Sequence, residues 1–371
     1  MPRAARRVPV MTETRAEIVL PTADLTADLP FFRSLGFRLD AIWPADDPAV
    51  AMISGHGLRL RLDRNAGGGP GRLRLLSDDP AALQGAPAAS PGGTMVETGP
   101  LPPPLRQPPT QHAFEVRRLA DGAPWVVGRA GMQYRDLVPS RLGGAMIASH
   151  IRIPDGGPVP DMVHFHRVGF QLIFCLRGWV DVVYEDQGPP IRLHPGDCFI
   201  QPPEIRHRVL EASDGIEVIE IGVPAEHVTE IDHDMTLPTP QLRPDREWQG
   251  QRFVHNVGAG SRFGPHRLPG FAARDTTIAG NTQGVASVLV LRPDGSPTAP
   301  VRHSGDILFT YVMAGSMTLR GEGRAPSHLT AGDAFVIPPG VATHHADSSA
   351  DLELLEVALP ADVPTAPAAL P

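Results

Sequence analysis

The stretch HFHRVGFQLIFCLRG, residues 164–178, decides the fold. On a strand, residues two apart face the same side, so His164 and His166 point together into whatever the sheet encloses. A third histidine, His207, follows LHPGDCFIQPPEIRH (193–207), where the chain folds back. Two imidazoles from one strand and one from a neighbour can converge on a single cation. Imidazole suits Fe(II), Zn, Cu, Ni and Mn. Gln171 stands five residues after His166, where a metal would favour a carboxylate.

Working outward, the surrounding pattern occurs twice. QLIFCLRGWVDVVY (171–184) lines up with LFTYVMAGSMTLRG (308–321), bringing Gly178 onto Gly315. LHPGDCFIQPPEIRH lines up with LTAGDAFVIPPGVAT (329–343), bringing Gly196 onto Gly332 and Pro202 onto Pro338. Short apolar runs separated by Gly and Pro turns extend from about 113 to 360. Two similar halves of this kind read as a duplicated β-barrel or jelly roll.

The two blocks of the first half resemble the cupin motifs. The first family block is G, five residues, H-x-H, three or four residues, E, six residues, G. Here it reads Gly157, six residues, His164, Phe165, His166, four residues, Gln171, six residues, Gly178. The second block reads Gly196, Pro202, Glu204 for the family's Gly, His207, and Glu211 for its Asn. The resemblance implies a mainly β chain with two cupin barrels and one divalent metal on His164, His166 and His207, with Gln171 as a further candidate ligand. It favours Fe(II), with Mn, Ni, Cu or Zn as alternatives, and it implies a homodimer. In the second half the same register gives Val301, His303, Leu308 and Thr343, so that barrel is expected to have lost the site. His344 and His345 fall out of register there.

An amide brings no negative charge, so a three-histidine site with Gln171 keeps the cation's full +2 and favours an anionic substrate such as an enolate, catecholate or carboxylate. Gln171 can equally hydrogen-bond a bound water or substrate from behind the ligands. Arg152, Tyr184 and Cys175 are the substrate-pocket candidates. Cys175 shares the parity of Gln171, although a core thiol is the plainer reading for it. Arg206 and Arg208 are assigned to the surface or rim. AEHVTEIDHDMTLP (225–238) gathers Glu226, His227, Glu230, Asp232, His233 and Asp234, and is read as a solvated exit from the barrel in preference to a second metal patch.

The remaining sequence bounds the answer. The 371 residues have 42% apolar content, and 42 prolines and 38 glycines favour short strands and turns. All 33 basic residues are arginine, which excludes Schiff-base lysine chemistry. A net charge of -8 without a basic stripe argues against nucleic acid as partner. Cys175 and Cys198 read as buried thiols. The first 15 residues lack the apolar run of a signal peptide, and Met11 is a candidate alternative start. No run of 18 apolar residues exists, so no membrane span is expected and a soluble, cytoplasmic protein is the default.

Residues 12–81 read as a βαβββ module, with Thr22 or Asp24 capping its helix. The module resembles one unit of the glyoxalase/bleomycin-resistance (vicinal oxygen chelate) family. Glu17 stands where metal-binding members carry histidine, and His56 is read as a turn residue, so an accessory or dimerisation role is expected. The divisions expected after it are a Pro/Ala/Gly-rich linker (82–112), a metal-binding barrel (113–237), a second linker (238–249) and a degenerate barrel (250–361). The functional expectation is a dioxygenase-type oxidoreductase acting on a small aromatic or enolic molecule. The alternatives are a non-redox isomerase or lyase and a non-catalytic small-molecule sensor.

Overall fold

Gly178 and Gly315 turn the chain at equivalent points of the two halves, with φ of 71° and 70°. Each turn is closed in the same way. Trp179 N donates to Ser213 Oγ at 2.9 Å, and Ser316 N donates to Ser349 Oγ at 2.8 Å. A Cβ on Gly178 would run into Ser213 Oγ, and one on Gly315 would lie 2.7 Å from Leu352 Cα. The repeat read in the sequence is therefore a repeat of structure, fixed by a left-handed turn and a close approach that only glycine satisfies.

The computed structural model describes residues 14–22, 24–34, 37–55, 57–67, 72–77, 79, 81, 95–101, 105–122 and 124–370. Residues up to Arg106, apart from Ala45–Asp47, form one unit, and Ala45–Asp47 with Gln107–Pro371 form another. Among the described residues, no helix is long and apolar enough to cross a membrane.

The first unit has the strand Thr14–Pro21, the helix Leu25–Ser34 and the strands Arg38–Trp43, Val50–Gly55, Leu58–Asp63, Arg72–Ser77 and Met95–Pro100. Asp24 caps the helix, its Oδ1 accepting from Thr26 N at 2.8 Å. Two strands exceed the βαβββ reading. Arg38–Trp43 pairs with Val50–Gly55 through a register shift between Leu39 and Ala41, which breaks the alternation that would have marked it. Met95–Pro100 lies within the expected linker and runs parallel to Arg72–Ser77. His56 lies outside the described residues.

The second unit holds two antiparallel barrels. In the first, Phe170–Arg177 lies between Cys198–Ile200 and Ile216–Val223, and Ile147–Ile153 extends this sheet. The facing sheet runs Ile191–Leu193, Val180–Tyr184, His207–Ala212, His164–His166, Thr229–Ile231. The second barrel repeats the plan, with Ile307–Ala314 between Ala334–Val336 and Glu353–Leu359. Strand parity divides the load. Leu172, Phe174, Ile219 and Ile221 pack with Phe309, Tyr311, Leu355 and Val357 in an apolar core shared by both barrels. Ile173, Cys175, Val218 and Ile216 belong instead to the separate core of the first barrel.

The barrels also exchange strands. Glu115–Arg117, within the segment assigned to the first barrel, pairs with Ala334–Val336 of the second. Val254–Asn256, within the segment assigned to the second, pairs with Cys198–Ile200 of the first. The GD pair of each half anchors the visitor. Asp197 Oδ1 accepts from Gly258 N at 2.7 Å, and Asp333 Oδ1 accepts from Leu119 N at 2.8 Å.

Replacing Gly178 or Gly315 with Ala should cost about 2 kcal/mol or more, the left-handed penalty plus the collision. Gly260→Ala, at φ 75° with open space around it, should cost about 1 kcal/mol from the backbone alone. Denaturant midpoints of the three variants check this. Equal losses at all three positions would mean that Ser213 and Leu352 simply move aside.

Candidate metal centre

His164 and His207 are directly paired across two antiparallel strands, and His166 shares the strand and face of His164. Their ring centroids lie 4.2 Å (His164–His207), 5.1 Å (His164–His166) and 5.2 Å (His166–His207) apart. One ring nitrogen from each falls within 4.8 Å of the others. All three rings are buried.

Each ring is held from behind through Nδ1. The Nδ1–H of His164 donates to Met162 O at 2.7 Å, and that of His207 to Ile205 O at 3.0 Å. A carbonyl can only accept, so these bonds fix the tautomer and leave Nε2 with a free lone pair. His166 Nδ1 lies 2.9 Å from the buried hydroxyl of Thr229, which serves the same purpose by accepting. Burial lowers the pKa of all three histidines, that of His207 to about 4 and those of His164 and His166 well below 6.5. Their mutual repulsion and the charge of Arg129 add to this for His164 and His166. Neutral imidazoles with free Nε2 atoms are the form that ligates a metal.

The donors fit such an ion. His164 Nε2 is buried with no hydrogen-bond partner, and so is Gln171 Oε1. An unsatisfied buried polar atom costs roughly 1–3 kcal/mol, so two in one barrel call for a shared acceptor of lone pairs. The Gln171 Nε2–H donates to Glu220 Oε1 at 2.6 Å. Burial raises the Glu220 carboxyl pKa, and the bond from Gln171 and the charge of Arg129 offset only part of that rise.

Beside the histidines lies a cavity of ≈ 80 Å³. This is room for a small molecule, since one water needs about 10–15 Å³. Its walls are mostly apolar, including Ile151, Ile173, Phe199 and Val218, and its polar groups include Arg129, Tyr134, Gln201 and Glu220. Arg129 Nη1 pairs with Asp161 Oδ1 at 2.5 Å, and Arg129 Nε has no partner. Asp161 Oδ1 also lies 3.5 Å from His164 Nδ1, and its Oδ2 accepts from Val209 N at 2.9 Å.

The pocket candidates separate by parity. Ile151 and Ile153 line the cavity, so Arg152 between them faces away. Its Nε donates to Gln133 Oε1 at 2.7 Å, and its guanidinium lies 4.0 Å from the Trp125 ring centroid. Tyr184 backs the site, its ring stacked 5.6 Å from His207 and its hydroxyl accepting from Gln201 Nε2 at 3.0 Å. Cys175 has inward parity but sits one step beyond Ile173 toward the turn, in the barrel core and off the cavity wall. Burial pushes its thiol pKa, like that of Cys198, up to about 12. Arg206 pairs with Asp232 at 3.2 Å and Arg208 is exposed, as rim residues are.

Sequence reasoning missed Arg129, Tyr134 and Glu220, and read His227 as part of a solvated exit. Glu220 carried a signal, because it aligns with Glu356 in the register that aligns His207 with Thr343. His227 is not solvated. It is buried with its ring 5.6 Å from His166, and its Nδ1–H donates to Pro224 O at 3.0 Å. Among the described residues, no second metal cluster forms around Glu226 to Asp234.

In the second barrel, Val301 pairs with Thr343 as His164 pairs with His207, which places two non-ligands at the equivalent positions. His345, two residues from Thr343, turns inward and is buried against Phe335, so of the out-of-register histidines only His344 faces away.

The His207 pKa gives a stability prediction. In the unfolded chain this imidazole titrates near 6.5, and in the folded, metal-free chain near 4. Between those values the unfolded chain takes up a proton that the folded one refuses. The contribution is therefore present above pH 6.5 and lost as pH falls to 4, amounting to about 3 kcal/mol. Denaturant midpoints across this window should fall less steeply in His207→Gln than in wild type. Parallel curves would refute the assignment.

Residues 149–221 and 287–358 each match the family model of the cupin domain. No curated protein matches the chain. Among solved structures, a salicylate 1,2-dioxygenase from Pseudaminobacter salicylatoxidans matches at 17% identity, covering 70% of this chain and 90% of that one, with a TM-score of 0.53. The oxalate decarboxylase of Lactobacillus farciminis, in a formate complex, matches at 12% identity over 68% and 88%, with a TM-score of 0.50. At these identities the shared property is the fold. With both family matches falling on the two barrels of the second unit, this chain carries two cupin domains.

Proposed function

We propose that the first barrel is a metal-dependent enzyme centre of dioxygenase type, acting on a small aromatic or enolic molecule with an anionic oxygen. The observation that carries this reading is the convergence of three imidazoles, one ring nitrogen of each within 4.8 Å of the others, whose Nδ1 atoms are all engaged from behind. His164, His166 and His207 would hold one divalent cation, Fe(II) for preference, with Gln171 Oε1 as a further donor. Such a cation supplies Lewis acidity and, as iron, redox chemistry with O2.

The chain's own groups suit that substrate class. Ile151, Ile173, Phe199 and Val218 offer a dry wall to a planar ring. Arg129, with an unpartnered Nε, brings positive charge to a substrate anion. Asp161 orients Arg129 and lies behind His164, coupling the anion subsite to the histidines. One protein of the same fold is a salicylate 1,2-dioxygenase, which is the activity class carried over here. A non-redox isomerase or lyase would use the same ligands. A non-catalytic small-molecule sensor is the other alternative, favoured by the second barrel's Val301 and Thr343 in place of ligands. The homodimer expected from the family resemblance remains part of the proposal.

Protein purified without added metal should contain close to one divalent metal per chain, with iron in excess of zinc. His164→Ala and His207→Ala should each abolish it, and His345→Ala should not. Thr229→Ala should weaken metal binding by about 10–100-fold through loss of the bond behind His166. Elemental analysis and chelator competition read these outcomes. Full metal content in both ligand variants would sink the site. O2 uptake with a panel of catechols, flavonols and β-diketones tests the oxygenase class, and ligand binding without uptake would favour the sensor.

A further inference from the structure

The geometry points to Glu220 as a positioning residue for the metal centre, holding the Gln171 amide with its oxygen turned toward the three histidines. This rests on the metal reading proposed above.

The argument begins with donors and acceptors. An ionised carboxylate only accepts hydrogen bonds, and an amide presents a donor at one end and an acceptor at the other. Gln171 Nε2 lies 2.6 Å from Glu220 Oε1. Turning the amide over would set two acceptor oxygens against each other at that distance. Glu220 therefore decides which end of Gln171 faces away from it. The end that does so, Oε1, is buried and has no partner. Gln171 shares the inward face of its strand with Ile173, which lines the cavity together with His166 and His207.

The sheet makes the pairing specific. Gln171 lies directly opposite Gly222, and Ile173 lies opposite Glu220, so the amide reaches the carboxylate diagonally. Gly222 offers no side chain of its own, and a Cβ there would come within 2.8 Å of His227 Cε1. The second barrel is an internal control. Glu356 occupies the place of Glu220, opposite Thr310, but the counterpart of Gln171 is Leu308. With no amide to hold, Glu356 accepts from Arg267 Nη1 at 2.8 Å instead.

The consequence is a centre whose negative charge stands one side chain back. A hydrogen bond from Nε2 to a carboxylate draws electron density onto Oε1 and makes the amide a better donor to a cation. The family's glutamate is thus replaced by two residues, a neutral one facing the centre and a charged one behind it.

The test is Co(II) binding to metal-free protein, followed by absorbance in wild type, Glu220→Gln, Gln171→Glu and the exchange carrying both. Glu220→Gln should bind Co(II) at least about tenfold more weakly, because its partner no longer dictates the amide's orientation. The exchange returns a carboxylate to the centre with an amide behind it, and should regain wild-type affinity within about threefold or exceed it. It should also bind at least about tenfold more tightly than Gln171→Glu, in which two carboxylates face each other. Wild-type affinity in Glu220→Gln, or an exchange no tighter than Glu220→Gln, overturns the positioning role and leaves the metal reading standing. A wild-type chain that takes up no Co(II) overturns both. Should Glu220→Gln fail to fold, a crystal structure of the wild-type Co(II) complex decides. Oε1 on the metal with Nε2 on Glu220 supports the role, and an amide turned away from the metal refutes it.

Discussion

The pairing of His164 with His207 across two antiparallel strands is the constraint on which the site depends. Because side chains alternate, a slip of one residue in either strand would send its imidazole to the opposite face. The register is held at both flanks, by Tyr184 opposite His207 and by Thr229 opposite His166. Both flanking residues also touch the rings, Tyr184 by stacking and Thr229 by hydrogen bonding. The same pairings that build the sheet therefore orient the ligands. The carbonyls of Met162 and Ile205, each two residues before its histidine, complete the arrangement without any side chain.

The duplication explains why one barrel can carry chemistry while the other need not. Each half keeps the turn glycine, the serine that closes the turn and the GD aspartate that anchors a strand from the other half. These features hold the barrels together, and both copies retain them. The apolar core shared between Phe174 and Phe309 is likewise structural and is built from outward-facing positions in both. The inward positions answer only to what each barrel encloses. In the second they have drifted to Val301, Leu308 and Thr343, with His345 absorbed into packing against Phe335.

How much of this was legible in the sequence follows from the range of each interaction. The three histidines, the repeat and the barrel architecture were readable because strand parity and turn glycines act over a few residues. Arg152 was misplaced although parity applies to it too, because its neighbours Ile151 and Ile153 were not read as the inward pair. Cys175 was placed on the right face at the wrong depth, since parity fixes direction and says nothing of distance along the barrel. Arg129 reaches the site from a turn more than 30 residues before His164, and no local pattern announces it. His227 sits in a run of charged residues that reads as solvent-exposed, yet the alternation of that run carries it, like Thr229, inward against His166. The strand Arg38–Trp43 was hidden by its irregular register, and Met95–Pro100 by the proline-rich composition around it.

The amide at 171 is the point where sequence and structure together say more than either alone. From the sequence, a glutamine in place of the family's glutamate means one negative charge fewer at the centre. The structure places a carboxyl, that of Glu220, 2.6 Å beyond the amide nitrogen. Around the histidines, Arg129 is balanced by Asp161, and Glu220 offsets one of the two charges a divalent cation would bring. The net charge of such a centre would be +1 with Glu220 ionised. A glutamate directly on the metal would leave the same sum but occupy a coordination position with the charge. With the carboxyl behind a neutral amide, Gln171 would offer a cation a weaker donor than a glutamate in its place.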